Sequence, residues 1–219
     1  MNRTTRTIVS ILGAFFTIGG IDHGVFEILH GNTPTTGLFI QSIALANRFW
    51  VYGTEDAFTI IPNFLFTGIL AVIFSLAIMV WLTGFIHTPH GPSVFFLLFV
   101  CLFLVGGGVG QVFFFLPAWA VSTRINSQLG WWKKVLPEAT RQRLRRFWRI
   151  SLAAGILCFL VALEIAIFGF VPGVIDPNLK NYICWSILAT GLVAILFTFV
   201  GGFAQDIQDQ RMEKKEWRN

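Results

Sequence analysis

The sequence predicts an all-α protein, a polytopic transmembrane helical bundle, on three observations. Hydrophobic residues make up 55% of the 219 and charged residues 12%, against roughly 25% charged in soluble domains. Mean hydropathy is +0.70, and a soluble chain of this size has no core large enough to hide so much apolar surface. The apolar runs are also long and unbroken. The bilayer interior offers no water to backbone polar groups, so only helices or closed barrels cross it. Barrel strands alternate apolar and polar residues over about 10 positions, and these runs do not.

A crossing helix needs about 20 apolar residues. Five candidate spans meet this, at about 5–29, 58–82, 93–120, 150–171 and 182–204. The first has the basic start and apolar run of a leader peptide but no small-x-small cleavage site before Asp22, so it is read as a retained span. The second carries Pro62 and Asn63 near its start, and the third ends near Pro117. Pro172 stops the fourth. Between the first two spans, Leu38 to Trp50 is apolar but short, which suits an interfacial or re-entrant helix; if 38–52 crosses, the spans number six. Trp50 and Tyr52 suit the headgroup level.

The net charge of +5 is concentrated beside apolar runs. That is a topology signal and not a nucleic-acid one. The loop 121–149 holds Arg124, Lys133, Lys134, Arg141, Arg143, Arg145, Arg146 and Arg149 against Glu138 alone. Pro137 can start a helix, on which Leu144, Phe147 and Trp148 form one apolar face. The expectation is a basic amphipathic helix in the interface, with Lys133, Lys134, Arg141, Arg145 and Arg146 toward anionic lipid headgroups. The loop is placed in the cytoplasm, and so is the charged tail 205–219 with Arg211, Lys214, Lys215 and Arg218. The membrane is taken to be the plasma membrane. Five spans then put Arg3 and Arg6 outside, against the rule; six put them inside.

Cys101, Cys158 and Cys184 sit singly in different apolar runs, as packing residues and not as a disulfide or zinc framework. A local echo joins three runs: Gly19-Gly20 then His23, Gly106-Gly107-Gly108 then Gln111, and Gly201-Gly202 then Gln205. Close helix crossings explain such glycines, and a structural repeat is the rival explanation.

The strongest constellation is His23, Glu27 and His30, at i, i+4 and i+7 on one helical stripe that Gly20 and Gly13 continue. Ionisable groups in a span suggest function. Three uses stay open: a hydrogen-bonded polar cluster, a proton or ion relay, or a single transition metal held by Glu27, His30 and His23 with a group from another helix. Glu27-x-x-His30 has di-iron spacing, but no second Glu-x-x-His exists in the sequence. Haem is not expected, because the later spans hold no central histidine. Glu164, inside the fourth span without a local cation, is placed in the same polar site and is expected to find a partner across the bundle, with His23, His30, Gln111 or a solute as the candidates. Gln111 joins the polar site, while Asn63, Gln205 and Asp206 suit interhelical hydrogen bonds. His87 and His90, flanking Pro89, read as solvated loop residues.

No P-loop, Gly-x-Ser-x-Gly or His-Glu-x-x-His is present. The expected function is binding or passing a proton, ion or small solute at an intramembrane His/Glu site, in a subunit of a membrane complex or a homo-oligomer. The alternatives are a membrane-embedded metal-dependent enzyme acting on a lipid or quinone-like substrate, and a structural or assembly subunit.

Overall fold

The computed structural model describes residues 1–216, with side chains for residues 1–212. The tail residues Lys214, Lys215 and Arg218 therefore lie outside the described side chains. The elements are α1 (Arg3–Leu29), β1 (Phe39–Gln41), β2 (Asp56–Thr59), α2 (Phe64–Gly84), α3 (Gly91–Leu104), β3 (Val105–Gly108), α4 (Val112–Ser122), α5 (Gly130–Val135), α6 (Glu138–Phe168) and α7 (Pro177–Glu216). The protein is a helical membrane bundle. Among the described residues four helices, α1, α2, α6 and α7, are long and apolar enough to cross a bilayer.

The apolar run 93–120 differs from the single helix expected of it. It is a hairpin of two short helices. Phe96 packs on Trp119 and Phe99 on Phe115, with centroids 4.7 and 5.0 Å apart, so α3 and α4 run antiparallel. The break falls at the glycine triplet. Gly106 has φ +111°, a conformation that glycine adopts without steric cost. The backbone released from the helix is paired at once: β3 is the third strand of an antiparallel sheet ordered β1-β2-β3, with Ala57 opposite Gly108 and Phe58 opposite Gly107. Non-helical backbone at membrane depth needs such partners. All four residues of β3 are buried.

Because α3 and α4 double back, both open onto the end of the bundle that carries the start of α1 and the last turns of α7. Asn2 Nδ2 donates to the carbonyls of Arg124 and Ser127 at 2.7 and 2.9 Å. Asn126 reaches the His87 carbonyl at 2.9 Å, and Gln210 reaches Asn2 at 2.7 Å. Arg3 and Arg6, the basic loop and the last turns of α7 thus share one end, which removes the charge conflict of a five-span reading. The opposite end holds the sheet and the connections 30–63 and 169–176.

Two further elements depart from expectation. Residues 38–52 form no helix long enough to lie in the interface or to cross. They are a strand, a single 3-10 turn (Leu45–Asn47) and a loop, because β1 pairs with β2. The arginine-rich segment after Pro137 is a helix, but it continues without a break into the fourth apolar run as α6. Its 31 residues span about 46 Å at 1.5 Å per residue, more than the ~30 Å hydrocarbon thickness. The basic turns therefore project beyond it. They stay against α7: a Cβ at Gly201 would sit 2.8 Å from that of Trp148.

Glycines set the helix crossings. A Cβ at Gly24 would lie 2.7 Å from the Gly68 carbonyl, and one at Gly191 would lie 2.9 Å from Cys158 Cβ. The close α1–α2 and α6–α7 packing depends on their absence. Between them Ile8, Leu12, Phe16, Ile78, Leu82, Phe95, Leu102 and Phe115 form the main core. The glycine echo is not a structural repeat. Its first member lies within α1 and its second at the tip of the hairpin, while its third meets α6 at Gly201 and α1 at Gly202.

Candidate functional site

The site lies where the last third of α1 meets the sheet. His23 and Glu27, one turn apart, face inward at 7% and 0% exposure. Their stripe meets the glycine strand: a Cβ at Gly108 would collide with the His23 ring, and one at Gly106 with the Glu27 carboxylate. These glycines let bare backbone lie against two polar side chains.

Two residues that sequence reasoning missed complete the cluster. Ser42, one residue past β1, is fully buried. Its hydroxyl donates to Glu27 Oε1 at 3.0 Å and lies 3.0 Å from His23 Nδ1. Glu55, just before β2, places Oε2 3.1 Å from His23 Nε2. The result is one connected chain, Glu55–His23–Ser42–Glu27. Glu55 has φ +48°, uncommon for a non-glycine residue and a mark of functional sites. Its backbone is fixed by Ser42 N donating to its carbonyl at 2.9 Å. Burial alone would raise the Glu55 carboxyl, but the hydrogen bond and charge of His23 outweigh it and hold Glu55 below the ordinary glutamate range. No periodicity flags Ser42 or Glu55, since both lie in irregular chain. Glu55 in Gly53-Thr54-Glu55-Asp56 was legible as a loop acid and nothing more.

His30 belongs to the edge of the cluster. Its Nε2–H donates to the Ser42 carbonyl at 2.9 Å, and its ring stacks on Phe64 at 3.9 Å. The expected metal trio of His23, Glu27 and His30 is therefore not assembled. The histidines approach Ser42 from different sides, and their facing nitrogens are occupied by Ser42 and Glu55. Among the described residues no group of three or more His, Cys, Asp or Glu side chains is placed to hold a metal ion.

Beside this chain opens a cavity of about 770 Å³ between α1, the 39–56 segment, α4, α6 and α7. Asp22, His23, Glu55, Asp56 and Gln111 give it one polar wall. Phe16, Phe114 and Phe159 close its floor toward the basic end, with centroids 4.5 to 5.2 Å apart. Trp50 straps the loop over its rim by donating from Nε1 to the Ala166 carbonyl at 2.8 Å. Tyr52 does the same to Asn178 at 2.6 Å.

Gln111 lines the cavity from the hairpin tip. It is 9% exposed, and neither its Nε2 nor its Oε1 has a hydrogen-bond partner. Glu164 does not reach the site. It stands on the exposed face of α6, while its neighbours Leu163, Ala162 and Ala166 line the cavity. The α-helical period decides this, since α6 buries Ala162 and Ile165 against α7 and turns position 164 outward. Asn63 caps α2 by accepting from Phe66 N at 3.3 Å, and Gln205 donates to Asp209 at 2.8 Å. His87 and His90 stay in their loop, far from the cluster in the fold.

Compared with known proteins, the chain matches no family model, no curated protein and no solved structure. The site's own chemistry therefore carries the functional argument.

Proposed function

We propose that this protein is a membrane-embedded binding protein. It takes a small, largely apolar molecule into the cavity and couples that occupancy to a proton held on the Glu55–His23–Ser42–Glu27 chain. The observation that carries the reading is the chain itself, one end on the cavity wall and the other at a fully buried carboxylate with an unpaired oxygen.

The chain supports two proton arrangements with the same heavy-atom positions. In the first, His23 is an imidazolium donating to Glu55 and to Ser42 Oγ, and Ser42 donates to the Glu27 carboxylate. In the second, protonated Glu27 donates to Ser42, Ser42 donates to His23 Nδ1, and neutral His23 keeps its Nε2–H on Glu55. One proton passes from His23 to Glu27 by two short hops and no atom is lost. Beyond Glu27 the chain stops at Gly106 backbone, and the aromatic floor separates the cavity from the basic end. The geometry thus favours holding a proton over conducting one across.

An acyl-transfer enzyme is the reading that Ser42, His23 and Glu55 suggest by composition. Ser42 is fully buried and absent from the cavity wall, and its hydroxyl meets the His23 ring at Nδ1, so a nucleophilic role is disfavoured. We further propose that the basic end faces the cytoplasm of a plasma membrane, because Arg3, Arg6, Lys134, Arg145, Arg146 and Arg211 all gather there. The arginines projecting from α6 then meet anionic headgroups. Lys133 joins that end through Gln210 at 3.0 Å. The outward position of Glu164, at a membrane-facing surface, suits contact with a second copy or another membrane subunit.

Infrared spectroscopy of the full chain in lipid nanodiscs tests the proton store. Across about pH 5 to 8, where imidazole ordinarily titrates, a protonated-carboxyl band should appear that Glu27→Gln removes and Ser42→Ala shifts. Identical carboxyl spectra for wild type and Glu27→Gln would sink the proposal.

A further inference from the structure

We infer that the cavity's ligand is a lipophilic organic cation, a protonated amine on an apolar, ring-bearing body. This rests on the reading of the cavity as a ligand site and names the chemistry that site would accept.

Charge decides the sign of the head group. Asp22, Glu55 and Asp56 line the cavity, and among the described residues no lysine or arginine does. The single basic group there, His23, is already committed to Glu55 at 3.1 Å. An anionic head would meet three carboxylates on its polar wall, while the Arg48 guanidinium stands behind the lining, held on Gln41, and like-charge contacts of that kind exclude partners. A cation finds the reverse. Glu55 uses Oε2 for His23, and a carboxylate has about four acceptor positions, so Oε1 can receive an ammonium N–H.

Gln111 gives an independent pointer. It lines the cavity at 9% exposure with both amide atoms unpaired. A buried polar group without a partner is costly, and a ligand with a hydrogen-bonding head removes that cost. The amide is covered in the empty cavity, with Nε2 3.4 Å from where a Cβ of Gly20 would stand, so a rotation of the Gln111 side chain toward the cavity would bring its oxygen to an ammonium N–H.

The walls fix the body. Trp50, Tyr52, Phe114, Phe159 and Trp185 surround the space. Aromatic faces within about 6 Å of a cation attract it through the ring quadrupole. They also offer apolar contact to a ring system. A volume of about 770 Å³ lies within the 300–1,000 Å³ common for drug-sized ligands.

The position of the ammonium links it to the proton chain. A positive charge beside Glu55 disfavours the imidazolium on His23 and favours the arrangement with the proton on Glu27. Binding of the cation would thus move the stored proton inward.

Three probes of one shape and different charge test the inference: 1-naphthylmethylamine, 1-naphthylmethanol and 1-naphthoate. Each is equilibrated with the full chain in nanodiscs, with empty nanodiscs subtracted for partitioning. The amine should bind, with the alcohol and the acid each at least about tenfold weaker, the scale of one lost charged hydrogen bond. Glu55→Gln should narrow the gap between amine and alcohol by about the same factor, and Gln111→Leu should weaken the amine. Asp56→Asn, at an exposed position, repeats the charge test should the Glu55 variant fail to fold. Equal or tighter binding of the alcohol or the acid overturns the cation inference and leaves the cavity as a ligand site. Failure of all three to exceed empty nanodiscs overturns the inference and removes the ligand half of the proposed function, while the Glu27 infrared band still judges the proton half.

Discussion

Two buried carboxylates, at opposite ends of the bundle, are treated in opposite ways. Asp206 on α7 is 2% exposed. It accepts from Thr4 N and Thr5 N, each at 2.8 Å, and from Thr5 Oγ1 at 2.6 Å. Those donors are the first amides of α1, which have no partner within their own helix. Asn2, the residue before the helix, supplies no side-chain cap. Asp206 therefore caps α1 from another helix and places negative charge at the positive end of its dipole. Glu27, 0% exposed, accepts one bond from Ser42 and leaves Oε2 unpaired. A carboxylate with every oxygen satisfied is a strut. One left half-satisfied, at the buried end of a hydrogen-bonded chain whose other end lines a cavity, is the one to which we assign the proton.

The largest expected effect tests the strut. Asp206→Ala leaves two amides and a hydroxyl buried without an acceptor, which should cost about 3 kcal/mol or more, and Asp206→Asn about half of that. Thermal unfolding in detergent measures both. An Asp206→Ala protein as stable as wild type would remove one side of the comparison.

Next come the glycines that press on the site. Gly108→Ala drives a methyl into the His23 ring, and Gly106→Ala adds strain at φ +111°. Each should lose about 2 kcal/mol, the scale of overpacking. Gly110→Ala, where a Cβ meets open space, should be near neutral. Equal losses at positions 108 and 110 would mean that the triplet serves the turn and not the contact with His23.

Glu27→Gln sharpens the contrast from the other side. The amide keeps the shape and an acceptor for Ser42, so stability should stay within about 1 kcal/mol of wild type while the proton-dependent signal is lost. A loss as large as that of Asp206→Ala would make Glu27 a second strut.

The smallest effect is in pH. Glu55 is held below its ordinary value, so its contribution to stability is fully present above about pH 4.3, the unfolded glutamate value. It is lost as pH falls through the lower folded value. The titratable groups whose charge reaches it are His23, Asp22 and Cys184. Acid unfolding of wild type should therefore steepen below about pH 4.3, and Glu55→Gln should flatten that limb. Superposable acid limbs would detach Glu55 from the folded-state charge balance.

Much of this was legible in the chain. Length and continuity of the apolar runs identify the bundle, because a bilayer accepts few backbone solutions. The i, i+4 spacing of His23 and Glu27 places both on one stripe, and helical geometry turns that stripe inward. His30 follows the same stripe. The unexpected part concerns residues whose roles depend on what meets them. Gly106-Gly107-Gly108 reads equally as a helix crossing or as a helix break, and pairing with β2 selects the break. Ser42 and Glu55 lie in irregular chain with no period to mark them. Glu164 is chemically conspicuous but sits at a rotational position on α6 that the packing with α7 turns outward.

Sequence by itself determined the solvent, the helical class, the basic end and the polar stripe. Each of these follows from local composition or from one helix's period. Tertiary structure alone decided that the third apolar run folds back as a hairpin and that three separate segments bring Glu55, Ser42 and Gln111 beside α1. It alone gave Asp206 its partners at the start of α1 and Glu27 an open oxygen. The physical reason is that hydrogen-bond satisfaction is a property of pairs: a residue's type states what it can donate or accept, and the fold states whether a partner is within 3 Å.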